Sequence, residues 1–161
     1  MCMKINTSGS GHVGHVKIGT AEWLAYDAKL DKQKKCLEKA MAICKNNIRG
    51  SKACNDAFTK LPGGRSFDNI FDDDTVWISY CPDKSTYGWT IISGVDISIC
   101  EYAYMWGLWS VVGTLVHEMG HINGAGTTDH AAEGTLLSCG LAKVHDPTII
   151  GSRDTAPIYI A

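Results

Sequence analysis

The chain has 161 residues, of which 45% are hydrophobic and 20% charged, and both figures are ordinary for one soluble globular domain. Its 15 basic and 17 acidic residues give a formal net charge of -2 without a basic stripe, so nucleic acid is not expected as a partner. The longest apolar run, at residues 105–116, is interrupted by glycine, serine and threonine, and it is too short and too polar to span a membrane.

Residues 1–19 are polar and rich in glycine, serine and histidine, and they are predicted to form a flexible arm or linker before a domain at residues 20–161. They lack the basic start, the apolar stretch and the small-residue cleavage site of a secretory signal. His12 and His15 lie in this stretch, where solvated histidines are more common than metal ligands.

Seven cysteines are a high number for this length, and because the number is odd at least one thiol stays unpaired if the others form bridges. No CxxC pair is present, which argues against a structural zinc knuckle. Two interpretations compete: a protein with disulfides outside the reducing cytosol, or a cytosolic protein with buried thiols. We favour at least one disulfide, and hence secretion or export by a route without a classical signal peptide.

Helical periodicity appears in four stretches of the sequence. The first extends from residue 20 to about residue 48, and a shorter helix is expected at residues 51–60. Two more helices are expected at residues 106–122, ended by Asn123-Gly124, and at residues 129–144.

Between the second and third of these helices the sequence has the character of strands. Residues 75–81 and 87–92 are β-branched and aromatic, and residues 95–100 alternate apolar and polar side chains. Turn signals at Pro82-Asp83 and Ser93-Gly94 separate them. The pattern predicts a small antiparallel sheet with helices packed beside it, in a single α+β domain.

The strongest motif is His117-Glu118-Met119-Gly120-His121, near the end of an apolar helix. Residues four apart share one face of a helix, so His117 and His121 can direct two imidazoles at one tetrahedral zinc ion. Glu118 then stands beside the metal, where it can accept a proton from a bound water molecule. Two imidazoles and a carboxylate on a buried helix would be costly without partners, which favours metal binding over a chance match.

A catalytic zinc site needs a third protein ligand and one open position. Thr127 stands where the metzincin pattern would place a histidine, and Glu133 follows His121 sooner than the glutamate of gluzincins does. The residues alone leave four further candidates: Asp129, His130, His145 and Asp146.

The segment Gly126-Thr127-Thr128-Asp129 after this motif resembles the signature of the aspzincins, the deuterolysin and peptidyl-lysine metalloendopeptidase family, in which HExxH is followed by GTxD. The resemblance covers roughly residues 75–155. It implies a zincin-like domain with one zinc ion per chain and Asp129 as the third ligand. It also implies a Cys81–Cys100 disulfide, because the corresponding cysteines of the family are bridged.

The sequence departs from the family pattern after Asp129. The family motif continues GTxDxxYG, with a tyrosine that helps to stabilise the oxyanion, whereas Ala132 and Glu133 occupy those places here. His130 stands nearby and is a candidate for the missing hydrogen bond. In lysine-specific members acidic residues of the tail face the substrate, and Asp154 falls near one such position, which implies a preference for Lys or Arg after the scissile bond.

These features together predict a monomeric zinc metalloendopeptidase that acts on a protein or peptide substrate, with Glu118 as general base. Two alternatives stay open. One is a toxin or effector peptidase domain, exported by a bacterial secretion system and restrained by an inhibitor or immunity protein. The other is a metal-stabilised binding module whose catalysis is impaired.

Overall fold

Four short strands form the central sheet: β1 (Lys4–Ile5), β2 (Trp77–Cys81), β3 (Gly88–Thr90) and β4 (Asp96–Cys100). The computed structural model describes residues 1–128, 130–143 and 158–160. The strands lie in the order β1-β2-β4-β3, and helices pack beside them in a mixed α+β domain. A separate pair, β5 (Leu141–Lys143) and β6 (Ile158–Ile160), is antiparallel.

The prediction of an antiparallel sheet is wrong for most of the strands. β1, β2 and β4 run parallel, and only β3 is antiparallel, to β4. The tight turn at Ser93-Gly94 forces β3 and β4 into a hairpin, whereas the longer connection between β2 and β3 imposes no such pairing. All five residues of β4 are buried, as expected for a strand inside a parallel sheet whose two faces are both covered.

Part of the stretch predicted as a flexible arm belongs to the fold. β1 lies at one edge of the sheet, Met3 is buried, and its backbone N–H donates to the carbonyl of Phe71. Asn6 is also buried, and its side chain donates to the Ser79 hydroxyl at 3.1 Å. The N-terminal residues therefore contribute a strand and core contacts.

The described part of the chain contains six α-helices. They are α1 (Asp31–Ile43), α2 (Lys52–Thr59), α3 (Phe67–Phe71), α4 (Glu101–Trp106), α5 (Leu108–Ile122) and α6 (Ala131–Ser138). A π-helical turn, Cys44–Ile48, extends α1. The helix expected from residue 20 begins late, because residues near Leu24 pair in extended form with Tyr80.

The structure contains a disulfide, as the cysteine content predicts. This disulfide joins a different pair of cysteines from the pair that the resemblance implies. Cys54 at α2 bonds to Cys139 at the end of α6. Cys81 and Cys100 are free thiols and register partners on neighbouring parallel strands. Side chains of such partners run side by side at about the strand spacing of 4.8 Å, which is wider than a disulfide requires between its Cβ atoms. The hydrogen bond from Cys100 lowers the pKa of Cys81 to about 7.

No helix within the described ranges combines the length and the apolar character needed to cross a membrane.

Candidate metal centre

The motif predicted to bind zinc lies in the last two turns of α5, the most deeply buried helix. Every residue from Ser110 to Ile122 is buried, which is typical of a helix surrounded by other elements. The helix begins after Gly107, whose φ of 98° marks a sharp change of direction from α4. It ends at Asn123, and Gly124 follows with a φ of 84°, as the sequence predicts.

The imidazoles of His117 and His121 face each other on one side of α5. Their Nε2 atoms are 3.0 Å apart, and each residue is only 6% exposed. Two imidazole nitrogens bound to one tetrahedral zinc ion lie about 3.3 Å apart, given Zn–N distances of about 2.0–2.1 Å. The observed spacing is close to that value, so this pair fits two positions of a zinc site.

A backbone carbonyl fixes the orientation of one of these rings. The His121 Nδ1 lies 2.8 Å from the carbonyl oxygen of Ala125, just beyond the helix. Because a carbonyl oxygen can only accept, Nδ1 carries a proton, and Nε2 is the ring nitrogen that faces His117. Histidines that bind metals commonly make this kind of supporting hydrogen bond.

The carboxylate of Glu118 reaches from α5 to the edge strand β3. The Thr90 hydroxyl donates to Oε2 of Glu118 at 2.7 Å. On the same strand, a Cβ added to Gly88 would lie 2.8 Å from Oε1 of Glu118 and 2.9 Å from the Ser98 carbonyl oxygen. Because Gly88 has no side chain, it leaves room for the Glu118 carboxylate. The Thr90 hydroxyl orients that carboxylate. A glycine inside a β-branched stretch is the signal in the sequence that could have indicated this close approach.

A buried asparagine anchors the end of α5 to α2 and to the loop that follows α2. Asn123 is fully buried, and its side-chain amide donates to the carbonyl oxygens of Phe58 and Arg65, each at 2.8 Å. Its side-chain oxygen accepts from the Arg65 backbone N–H at 3.1 Å. The sequence indicated this residue only as a helix end, because its three hydrogen-bond partners are backbone groups about 60 positions earlier in the chain.

Helix α6 packs against the motif through its first turn. Ala132 is buried so close to Gly120 that a Cβ on Gly120 would lie 3.0 Å from the Ala132 Cβ. This close contact with α5 suits a small side chain at position 132, where the resemblance to the aspzincins would place a tyrosine. His130 precedes the helix with a φ of 56°, and its Nδ1 lies 3.2 Å from Glu133 Oε2. A role for His130 at the oxyanion stays a prediction.

Several expected site residues lie outside the described residues: Asp129, His145, Asp146 and Asp154. Across residues 1–128, 130–143 and 158–160, no three His, Cys, Asp or Glu side chains are grouped so as to hold a metal ion. The described part of the candidate site therefore consists of the two histidines, Glu118 and their supporting residues.

Comparisons of this chain with protein-family models, with curated proteins and with solved structures found no match.

Proposed function

We propose that the chain is a zinc-dependent peptidase in which His117 and His121 are two of the zinc ligands. The observation that carries the proposal is the pair of Nε2 atoms 3.0 Å apart, one of them on a ring oriented by the Ala125 carbonyl. Two imidazole nitrogens at this spacing match two neighbouring ligands of one tetrahedral zinc ion.

Asp129 is the proposed third ligand. It lies outside the described residues, and its assignment comes from the resemblance of Gly126-Thr127-Thr128-Asp129 to the aspzincin signature. The contact of Ala132 with Gly120 supports it, because this contact brings the first turn of α6 beside the helix that carries the histidines. A zincin-like arrangement of the domain is part of the same proposal.

The chemistry assigned to the protein side chains is proton transfer and orientation. When bound, zinc supplies a Lewis acid and lowers the pKa of a water molecule towards neutrality. Glu118 accepts a proton from the attacking water and delivers it to the amine that leaves. The hydrogen bond from the Thr90 hydroxyl to Oε2 orients the Glu118 carboxylate for this transfer.

The proposed substrate is an extended segment of a protein or peptide. In the described part of the chain, β3 is an edge strand of the sheet and pairs with β4 alone. An extended peptide can add to such an edge through backbone hydrogen bonds. Because Thr90 lies on β3 and contacts Glu118, a peptide bound there would lie near the general base.

The test is hydrolysis of casein by purified protein reconstituted with zinc. We expect activity that a zinc chelator abolishes, and a Glu118→Gln variant that keeps stoichiometric zinc but hydrolyses casein at least about a hundredfold more slowly. Unchanged hydrolysis by Glu118→Gln would overturn the role of Glu118. Zinc binding without hydrolysis of casein or of a peptide library would favour the binding module instead.

The Cys54–Cys139 bond supports a place of action outside the reducing cytosol. A toxicity test separates a general protease from an effector: the wild-type chain and Glu118→Ala are directed in turn to the cytoplasm and the periplasm of a bacterial host. Growth arrest by the wild type alone would favour the effector.

A further inference from the structure

Three large apolar side chains are exposed where α4 meets α5, and we refer to this place as the α4–α5 corner. Met105 is 62% exposed, Trp106 54% and Trp109 43%. Gly107 separates the two helices, and its positive φ turns the chain so that residues of both helices reach solvent. Large apolar residues clustered at one surface position usually mark a site of interaction.

The α4–α5 corner adjoins the basic face of α1. Leu108, which lies between the two exposed tryptophans in sequence, lines an open hollow together with residues of α1: Asp31, Lys32, Lys35, Cys36 and Lys39. Lys35 pairs with Asp31 at 2.7 Å. Within the described ranges, Lys32 and Lys39 form no salt bridge, and both are exposed. The α4–α5 corner is therefore bordered by two lysines, Lys32 and Lys39, that pair with no acidic side chain within the described ranges.

We propose that the α4–α5 corner docks on an anionic lipid surface. Tryptophan favours the boundary between headgroups and acyl chains, so Trp106, Trp109 and Met105 would enter this layer. Lysines beside them would contact anionic headgroups, while their aliphatic stems remain against the apolar layer. A protein partner would account for the tryptophans and the methionine but not for the lysines, which are depleted at protein–protein interfaces.

The proposed docking surface is separate from the candidate metal centre and does not depend on the proposed activity. Trp109 lies in the first turn of α5, and His117 lies eight residues later, about 12 Å along the helix axis at 1.5 Å per residue. A chain docked through the α4–α5 corner would therefore keep its histidine pair at the opposite end of the same helix.

The test is co-sedimentation of the full chain with vesicles of phosphatidylcholine alone and with vesicles that also contain phosphatidylglycerol. We expect binding to the anionic vesicles only, and weaker binding as salt increases. Lys32→Glu with Lys39→Glu should weaken that binding at least about tenfold, since each lysine near such a surface contributes about fivefold. Met105→Ser with Trp106→Ser should weaken it by a similar factor.

Matched variants elsewhere on the surface provide the controls. Leu137→Ser removes an apolar side chain that is 65% exposed on α6, and Lys52→Glu with Lys60→Glu makes the same change of charge at the two ends of α2. These variants should bind the vesicles as the wild type does, and circular dichroism should show every variant folded. Absence of binding to anionic vesicles, or equal loss in the control variants, would overturn the proposal.

Discussion

The chain contains two pairs of closely spaced histidines, and their surroundings differ. His117 and His121 are buried on one helix, with their Nε2 atoms 3.0 Å apart. His12 and His15 lie in the glycine-rich N-terminal segment, and both approach Asp96 at the start of β4. Their Nε2 atoms lie 2.6 Å and 3.8 Å from its two carboxylate oxygens.

The difference shows how local geometry decides what a pair of histidines can do. A spacing of four on a helix places both rings on one face, where their lone pairs can converge on a cation. The N-terminal pair has no helix to align it, and it is held instead by a carboxylate and by aromatic contacts. The His12 ring stacks on Trp77 at 4.3 Å, and the His15 ring makes an edge contact with Trp23. In the first pair the histidines fit a metal site, whereas in the second they fasten a segment to the sheet.

The largest expected effect is on zinc affinity. His117→Ala should weaken zinc binding at least about a hundredfold, because it removes one of the few ligands that share the binding free energy. The variant His12→Ala with His15→Ala should keep one zinc ion per chain. Elemental analysis and competition with a chelating dye measure both. Loss of zinc from the N-terminal variant would contradict the distinction between the two pairs.

The second-largest effect is expected on the free energy of unfolding, from a change at the end of α5. Asn123→Ala should lower the free energy of unfolding by about 2–4 kcal/mol, because it leaves the buried groups of its three hydrogen bonds without partners. Urea unfolding measures the change. Asn47→Ala, at an exposed position, should change it by less than about 0.5 kcal/mol. Equal effects of the two changes would show that Asn123 is no anchor.

A smaller effect is expected on the rate of hydrolysis. Thr90→Val keeps the shape of the side chain but removes the hydroxyl that orients Glu118, and it should lower kcat about tenfold with little change in KM or in zinc content. Thr90→Ser restores a hydroxyl and should recover most of the rate. If Thr90→Val were as active as the wild type, the hydrogen bond would have no part in positioning the carboxylate.

The smallest effect is expected at the N-terminal pair. His12→Ala should lower the free energy of unfolding by about 1 kcal/mol, the usual net contribution of one hydrogen bond, because the buried Asp96 carboxylate keeps its contact with His15. It should nevertheless release the segment locally, so that trypsin cleaves after Lys17 faster than in the wild type. Val13→Ala, at a residue 83% exposed, is the control and should be cleaved at the wild-type rate.

The sequence was most informative where structure depends on neighbouring residues. The strand segments, the helix at residues 51–60 and the helix end at Asn123-Gly124 all appear close to the predicted places. The first helix was predicted too early, because pairing of Leu24 with Tyr80 overrides the local periodicity. The parallel pairing of β2 with β4 was missed, since strand order depends on burial against distant helices.

The sequence by itself determined that His117 and His121 share a face of one helix with Glu118 beside them, because helical periodicity is a local property. Only the tertiary structure decided which groups support them: the Thr90 hydroxyl and Gly88 on β3, and the anchor at Asn123. It also decided that Cys54 bonds to Cys139 across 85 positions of the chain. These contacts join residues far apart in sequence, and packing of the whole core brings them together.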